Sequence, residues 1–333
     1  MKKINILISI ILFFTTSLHA NIDNEFREWK KNFKIRALKN NISEETFEKT
    51  MSNVKFLPNV IKYDRYQPEF YEDTKTYISK RTSSKKVNEG LNIYSKENKL
   101  IHSVEKKFNI EKELLLALMG IETNYGKYVG KMDILSSLST LSFDKRRSEF
   151  FTKELLILLK LVDENQIDYK TLYGSWAGAF GFFQFMPSTI KNHAIDFNKD
   201  NYIDLKNTKD SFASAANYLN NMGWKTNSPC FLKIDLKDSI PKKYLNVSAK
   251  KLQNKNKLKY FRKYIKNVDE IAKYDGSSRV AIITPDKDII PGADKLNPSY
   301  VVFDNYEIIL KWNRSLRFAL AVCTLKEKIK NEL

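Results

Sequence analysis

Residues 114–126 read LLLALMGIETNYG, and this stretch determines how the rest of the chain is interpreted. Its apolar side chains recur at helical spacing and predict a helix with one buried face, formed by Leu114, Leu115, Leu118 and Ile121. Asn109 is expected to cap the start of this helix, and Gly126 suits its end. Glu122 would then lie in the last turn, at the border of the apolar face.

This position favours the protonated form of Glu122. A carboxylate in the last turn faces the negative end of the helix dipole, and partial burial also disfavours its charge. A carboxylic acid that stays protonated near neutral pH can act as a general acid. The alternative is a solvated surface glutamate, because Glu is rarely buried.

Residues 173–188, YGSWAGAFGFFQFMPS, alternate small and aromatic side chains. Small residues allow a ligand to approach the backbone, and aromatic rings offer flat faces to sugars. Ser175 and Gln184 are the obvious hydrogen-bonding groups of this stretch. A tightly packed helix crossing that binds no ligand would have the same composition.

Residues 196–204, DFNKDNYID, place oxygen-bearing side chains at alternate positions, as at the start of an EF-hand calcium loop. The stretch predicts a calcium site, although Asn201 replaces the usual turn glycine and Asn207 stands where a bidentate Glu is expected. Asp210 could supply that carboxylate from a longer loop. The alternative is a turn rich in Asp and Asn that binds no ion.

The second half of the chain changes character twice. Residues 229–303 contain short β-branched runs, prolines and turn pairs, which predict a small β-containing insertion. The final segment then predicts one long helix over Tyr306–Lys330. Within it, residues 310–319 read LKWNRSLRFA, and Asn313 is a polar side chain among apolar neighbours. Asn313 either reaches a site or is simply exposed.

The N-terminus predicts an export signal. Lys2 and Lys3 precede an almost wholly apolar run, Ile4–Phe14, and Ala20 suits the residue before cleavage. An uncleaved membrane anchor is the alternative, but about a dozen apolar residues are too few to cross a bilayer comfortably. No Cys follows the run, so a lipoprotein anchor is not expected. The mature chain is expected to be exported and to have no stable membrane span.

The formal charge of +18 favours contact with polyanions. An exported protein seldom meets nucleic acid, so no nucleic-acid partner is expected. Two cysteines, Cys230 and Cys323, could form a disulfide in an oxidising compartment or remain two isolated buried thiols. No C-x-x-C pair is present, and His is scarce, so neither a thiolate site nor a His-rich metal site is predicted.

Taken together and in this order, these motifs resemble the lytic murein transglycosylases of the membrane-bound B type, from about Gln67 to Val322. The strings that carry the resemblance are GIET at 120–123, LSF at 141–143 with Arg146 and Arg147, GSWAGA at 174–179, GFFQFMPS at 181–188, the Asp196 loop, ANY at 216–218 and WNRS at 312–315.

The resemblance implies a mainly α fold: a lysozyme-like helical core, a helical N-terminal domain and a small inserted β-containing domain. The expected division is 1–20 for the signal, 21–100 for the N-terminal domain and 101–228 for the core with a calcium loop at 196–210. Residues 229–304 would form the insertion, and 305–333 a C-terminal helix that completes the core.

The activity that the resemblance implies is cleavage of the bond from N-acetylmuramic acid to N-acetylglucosamine, with 1,6-anhydromuramoyl ends formed in the periplasm. Glu122 would be the catalytic acid and base, and no organic cofactor is expected. Peptidoglycan would contact Ser175, Gln184, Phe185, Tyr218, Asn313, Arg146 and Arg147. Calcium would be held by Asp196, Asn198, Asp200, Tyr202 and Asp210.

Two positions depart from the family pattern: Trp312 and Phe318 stand where Tyr is common. Phe318 lacks a hydroxyl that could orient the sugar, so a polar role for this position is in doubt. Two other functions stay open, a lysozyme-like hydrolase and a cell-wall binding protein without turnover. Partners in wall synthesis are left open as well.

Overall fold

The computed structural model describes residues 2–66, 72–287 and 289–333, with side chains from residue 21 onward. The side chains of the predicted export signal, and Gln67, lie outside the described residues. Within the described part of the chain, no helix combines the length and apolar character needed to cross a membrane.

Four helices form the N-terminal part: α1 (Lys2–Lys39), α2 (Glu44–Met51), α3 (Pro58–Arg65) and α4 (Thr74–Arg81). Ser43 caps α2 by accepting a hydrogen bond from the backbone of Thr46, as a serine before an acidic first turn favours. These helices do not pack only on each other. Helix α4 packs against the last helix of the chain, and α3 against a core helix.

The core is built around one buried helix, α6 (Lys112–Thr123). Leu114–Leu118 are 0% exposed, so this helix is apolar on all sides and not on one face only. The elements that surround or extend it are α5 (Ser84–Phe108), α7 (Ile134–Phe143), α8 (Ser148–Asp163), α9 (Pro187–His193) and α10 (Thr208–Asn221). A two-residue pair, β1 (Met132–Asp133) with β2 (Tyr173–Gly174), closes one end of the core.

The predicted β-branched runs form strands of a small sheet. Strand β7 (Ser299–Val302) lies between β3 (Phe231–Ile234) and β6 (Arg279–Ile283), antiparallel to both. Two short strands, β4 (Leu245–Asn246) and β5 (Asn256–Lys257), also pair with β6, and α11 (Leu258–Phe261) and α12 (Val268–Ala272) cover the sheet. One face of this sheet has its own apolar cluster, centred on Val280, Ile282 and Val301.

The prediction of a single C-terminal helix over 305–333 is wrong. The segment forms α13 (Asp304–Trp312) and α14 (Leu316–Glu332), and Asn313 between them has an extended backbone. Ser315 causes the restart, because its hydroxyl caps α14 by accepting from the backbone of Phe318 at 3.2 Å. Apolar periodicity runs through both helices and therefore hides the break.

Covalent and ionic contacts join distant parts of the chain. A disulfide links Cys230, before β3, to Cys323 in α14. The buried carboxylate of Asp286 accepts hydrogen bonds from Thr74 at the start of α4 and from Arg317 in α14. The predicted mainly α fold with a small sheet is confirmed. Helix α14 contacts α4 and α6 and is bonded to the inserted domain through the disulfide and Arg317.

Candidate active site

Glu122 lies half-buried in the last turn of α6, as predicted. The helix ends earlier than Gly126, because Asn124 and Tyr125 already adopt left-handed backbone conformations with φ of 50° and 59°. The predicted cap at the start of the helix is also wrong. Asn109 ends α5 in a left-handed conformation, and Glu111 precedes α6. Asn is tolerated in left-handed positions as well as at helix starts, so its presence alone does not separate the two.

The turn after Glu122 is fixed by Tyr125. Its ring folds back over Gly120, where a Cβ atom would lie 2.7 Å from the ring, so only glycine fits. The Tyr125 hydroxyl donates to the backbone carbonyl of Lys86 at 2.8 Å. In return, the ammonium group of Lys86 donates to the carbonyl of Gly120. The end of the helix that carries Glu122 is thus held from α5.

The second predicted motif supports the same turn from the other side. The hydroxyl of Thr123 donates to the carbonyl of Phe182 at 2.8 Å, and the Phe182 backbone N–H donates to the carbonyl of Leu205 at 2.9 Å. Residues 173–185 form no helix crossing: they run as a short strand and turns closed by a bridge between Phe180 and Phe185. This segment therefore connects Thr123, the residue after Glu122, to Leu205 of the predicted calcium loop.

Trp312 contacts the carboxylate itself. Its indole N–H donates to Oε1 of Glu122 at 2.9 Å. The same ring packs edge-on against Phe185 and Tyr218, with centroid distances of 5.3 and 4.9 Å. The sequence marked Trp312 only as a departure from the family's Tyr. No local signal identifies it, because the contact joins residues that are 190 positions apart in the chain.

Several predicted groove residues are brought together around Trp312, and Tyr218 is the clearest. Burial raises the pKa of Tyr218 to about 12, so its phenol stays protonated and can donate a hydrogen bond. His193 packs edge-on against Tyr218 at 4.8 Å between ring centroids, and desolvation lowers its pKa. Phe185 is almost completely buried and acts mainly as packing for Trp312.

Ser175 and Gln184 occupy the turn segment and are half-buried. The Ser175 hydroxyl accepts the backbone N–H of Ala179 at 3.1 Å, which leaves its own proton available for donation. Gln184 has a left-handed backbone, and its amide donates to the carbonyls of Val129 and Gly181. Its side-chain oxygen is the part that remains for a ligand.

Arg146 and Arg147 lie in a second, basic region. Both guanidinium groups pair with the buried carboxylate of Asp64 in α3. They line a cleft of about 550 Å³ together with Arg314 and Ser315, which directly follow Asn313. The turn between α13 and α14 thus contributes Arg314 and Ser315 to the cleft and, two residues before Arg314, the indole that contacts Glu122.

The predicted calcium loop is tightly hydrogen-bonded. The carboxylate of Asp196 accepts the backbone N–H groups of Asp200 and Asn201, and Asn198 Oδ1 also accepts that of Asp200. Asp210 is completely buried and accepts backbone N–H groups from Phe197 and Asp204. Across the described ranges, no group of three or more His, Cys, Asp or Glu side chains is arranged to hold a metal ion.

The chain is similar to known proteins in both sequence and structure. Over 149 residues, the chain is 36% identical to membrane-bound lytic murein transglycosylase B of Escherichia coli, a match that spans 44% of this chain and 41% of that protein. The structure of SltB3 from Pseudomonas aeruginosa in complex with NAG-anhNAM-pentapeptide aligns with a TM-score of 0.80 at 28% identity, covering 92% of this chain and 79% of that one.

A third neighbour shows the fold alone at 22% identity: the Escherichia coli lytic transglycosylase Slt35 in complex with calcium, with a TM-score of 0.73 over 93% of this chain and 94% of that one. These likenesses confirm the predicted lysozyme-like architecture. The model of the Transglycosylase SLT domain matches residues 25–327, nearly the whole chain, and the protein belongs to that family.

Proposed function

We propose that the protein is a lytic transglycosylase that cleaves the bond from N-acetylmuramic acid to N-acetylglucosamine in peptidoglycan and leaves 1,6-anhydromuramoyl ends. The observation that carries this proposal is the setting of Glu122, which ends a buried helix and receives the indole N–H of Trp312. Arg314 and Ser315, two and three residues after Trp312, line a basic cleft. The similar protein SltB3 binds NAG-anhNAM-pentapeptide, and a ligand with an anhydro end supports the same chemistry.

A single carboxylate suffices for this reaction. The motif segments 119–126, 173–188 and 310–319 contain no other Asp or Glu than Glu122. Hydrolases with two carboxylates use the second one as a nucleophile or as a base for water. In the proposed reaction, the N-acetyl carbonyl oxygen of the substrate bonds to C1 instead, and no glycosyl–enzyme bond forms.

Glu122 takes part in both proton transfers, first as the acid and then as the base. Its protonated carboxyl donates to the glycosidic oxygen as the C1–O bond breaks, and N-acetylglucosamine leaves as an alcohol. The resulting carboxylate then removes the proton of the muramoyl C6 hydroxyl. That oxygen attacks C1, displaces the N-acetyl oxygen and closes the anhydro ring, so that no water is consumed. Trp312 stabilises the carboxylate between the two transfers.

The groove residues are proposed to orient the muramoyl unit. Ser175 and Asn313 lie on the two segments that flank Glu122, and they would donate to the substrate's polar groups. Tyr218 keeps its proton and would donate as well. Arg146 and Arg147 share one carboxylate, Asp64, so donors on both groups remain for the peptide or glycan.

Product mass tests the proposal. Anhydro ends are one water lighter than hydrolysed ends, so mass spectrometry of digests of purified cell wall separates a transglycosylase from a hydrolase. Glu122→Gln should lower the rate by about 10⁴-fold, the upper end of general acid–base catalysis. Glu113→Gln, the same change near the start of the helix, is the control for folding. Reducing-end muramic acid as the main product would reject the proposal, and undiminished activity of Glu122→Gln would reject its catalyst.

Export is proposed from the N-terminal sequence. The run Ile4–Phe14 followed by Ala20 would direct the chain to the periplasm and be removed, so the mature protein should begin at Asn21. N-terminal sequencing of the exported protein checks this. Recovery of Met1 in a membrane pellet would contradict it.

A structural calcium ion is proposed for the loop at 196–210. Asp196, Asn198, Asp200 and the carbonyl of Tyr202 offer only oxygen donors, which suit calcium. Asp210 would complete the set with the lone pair of Oδ2 that its three backbone contacts leave free. The left-handed turns at Lys199 and Asn201 support this geometry by replacing the missing glycine.

Thermal melts test the ion, because a ligand that binds only the folded state raises its stability. Calcium should raise the melting temperature relative to chelator, and Asp200→Ala should abolish the difference. Asp238→Ala, which removes an exposed carboxylate outside the loop, should keep it. Equal melts of the unaltered protein with calcium and with chelator would mean that the loop binds no calcium.

A further inference from the structure

The inserted domain carries an unusual concentration of positive charge. Residues 242–266, here called the basic face, contain ten Lys and Arg residues and no Asp or Glu. This stretch alone therefore holds more than half of the chain's formal net charge of +18. Its basic residues are Lys242, Lys243, Lys250, Lys251, Lys255, Lys257, Lys259, Arg262, Lys263 and Lys266.

Almost none of this charge is neutralised within the protein. Lys255 pairs with Glu307 of α13. For the other nine, no carboxylate of the described residues lies within 4.0 Å. Lys259, Lys263 and Lys266 are exposed. Like charges concentrated in one segment repel each other, so the arrangement costs stability unless an anion is bound.

Tyrosine rings contact two of these cations, Lys243 and Lys263. The ammonium group of Lys263 lies 4.7 Å from the ring centre of Tyr260 and 4.9 Å from that of Tyr264. The hydroxyls of Tyr260 and Tyr244 are hydrogen-bonded at 2.9 Å. Hydrogen bonds to Tyr244 and Tyr264, followed by the charges of Lys263 and Lys243, lower the pKa of Tyr260. The basic face thus combines ordered cations with half-exposed rings, which bind both acidic groups and flat polar ligands.

The basic face is continuous with the candidate active site. Lys250 lines the cleft that also contains Arg146, Arg147 and Arg314. Lys250 and Lys251 line an adjoining pocket with Lys311 and Arg314 on the other side of the same turn. The path continues through Lys255, which pairs with Glu307 of that pocket, and through Asn254, whose side-chain amide donates to the carbonyl of Lys243 at 2.6 Å. Next to Lys243, Tyr244 is hydrogen-bonded to Tyr260, whose ring contacts Lys263. A polymer that enters the groove can extend along this path.

We propose that the basic face binds acidic stem peptides of the peptidoglycan strand whose glycan occupies the groove. The proposal rests on the proposed function. Two observations favour the wall polymer over an anionic membrane. The path starts at the groove, and the segment contributes no exposed large apolar side chain among the described residues. Peripheral membrane helices insert such side chains into the lipid boundary.

Binding to purified, insoluble cell wall tests the proposal, with the Glu122→Gln variant used so that the wall is not degraded. Reversal of three charges (Lys259→Glu, Lys263→Glu and Lys266→Glu together) should weaken binding at low salt at least tenfold. The matched control reverses three exposed lysines of α5 (Lys96, Lys99 and Lys106) and should bind as before. High salt should reduce the difference, because it screens exposed charges. Melting curves exclude unfolding as the cause.

Wall from which the stem peptides have been removed by an amidase should bind the parent and the basic-face variant equally weakly. Equal binding of intact wall by parent and basic-face variant would overturn the inference, as would equal losses in the two triple variants. Loss of binding to vesicles of anionic phospholipid, with wall binding unchanged, would assign the face to a membrane instead. Each of these outcomes is independent of product mass, which tests the proposed function separately.

Discussion

Replacement of Trp312 by Phe tests whether the indole N–H takes part in catalysis. The substitution keeps an aromatic ring against Phe185 and Tyr218 but removes the donor that lies 2.9 Å from Glu122. In the proposed reaction, Glu122 is neutral before the first proton transfer and ionised after it. A donor that binds the ionised form more strongly should therefore act on kcat more than on KM.

The size of the effect follows from the contact. A hydrogen bond to a charged group contributes about 1.5–3 kcal/mol. Because Trp312 is half-exposed, the lower end of that range applies, and about 1.4 kcal/mol corresponds to a tenfold change in rate. We expect Trp312→Phe to lower kcat about tenfold. Trp312→Tyr returns a donor to the ring and should recover part of the loss.

The assay is release of soluble muropeptides from purified cell wall, with kcat and KM determined separately. Trp224→Phe is the matched control, because the indole of Trp224 also donates to a carboxylate, that of Glu111, far along the same helix. This control should melt at a lower temperature but keep its kcat. A kcat of folded Trp312→Phe within twofold of the parent value would refute a catalytic role for the indole.

Two further predictions concern stability. Replacement of both Cys230 and Cys323 by Ser opens a disulfide that spans 93 residues, and loop-closure entropy gives a loss of up to about 4–5 kcal/mol in unfolding free energy, checked by urea titration with and without reductant. The hydrogen bond from Ser43 to Asp163 is the main cause that lowers the pKa of Asp163 from 3.8 to about 2. This carboxylate therefore stabilises the fold at pH above its unfolded pKa, and the stabilisation is lost as the pH falls towards 2. Asp163→Asn should accordingly lower the melting temperature at neutral pH, and the difference from the parent should shrink between pH 4 and 2. A difference in melting temperature that is constant with pH would contradict the stabilising role of the Asp163 carboxylate. Cysteine variants as stable as the parent would contradict the stabilising role of the disulfide.

The sequence predicted those helices and strands that are specified by a pattern of neighbouring residues. Helix α8, Ser148–Asp163, coincides with a Leu-rich periodic run, which is a local signal for a helix. Strands β6 and β7 were visible as β-branched runs between turns. Glu122 could be placed in the last turn of a helix because the apolar pattern of that helix is unbroken. In each case, the information lies within about fifteen residues.

The features of the site that the sequence could not predict depend on contacts between residues that are distant in the chain. Trp312 is 190 residues from Glu122, and no local pattern signals that its indole reaches a carboxylate. Arg147 pairs with Asp64, 83 residues earlier, and no local pattern signals this contact. The break at Asn313 was hidden because apolar periodicity continues across it, although Ser315 offered a capping signal.

The cluster of Thr74, Asp286 and Arg317 has a consequence for how the chain reaches its folded state. Thr74 binds a carboxylate 212 residues later, and the carbonyl of Thr82 accepts from Lys328, 246 residues later. Contacts of such long sequence separation require large loops to close before they contribute energy, and they slow folding. Helix α4 therefore cannot dock until the final helix has been synthesised, and a truncated chain that lacks α14 would lose this docking along with the disulfide. The complete fold therefore becomes available only after α14 has been synthesised, which delays the assembly of the proposed active site around Glu122 until that point.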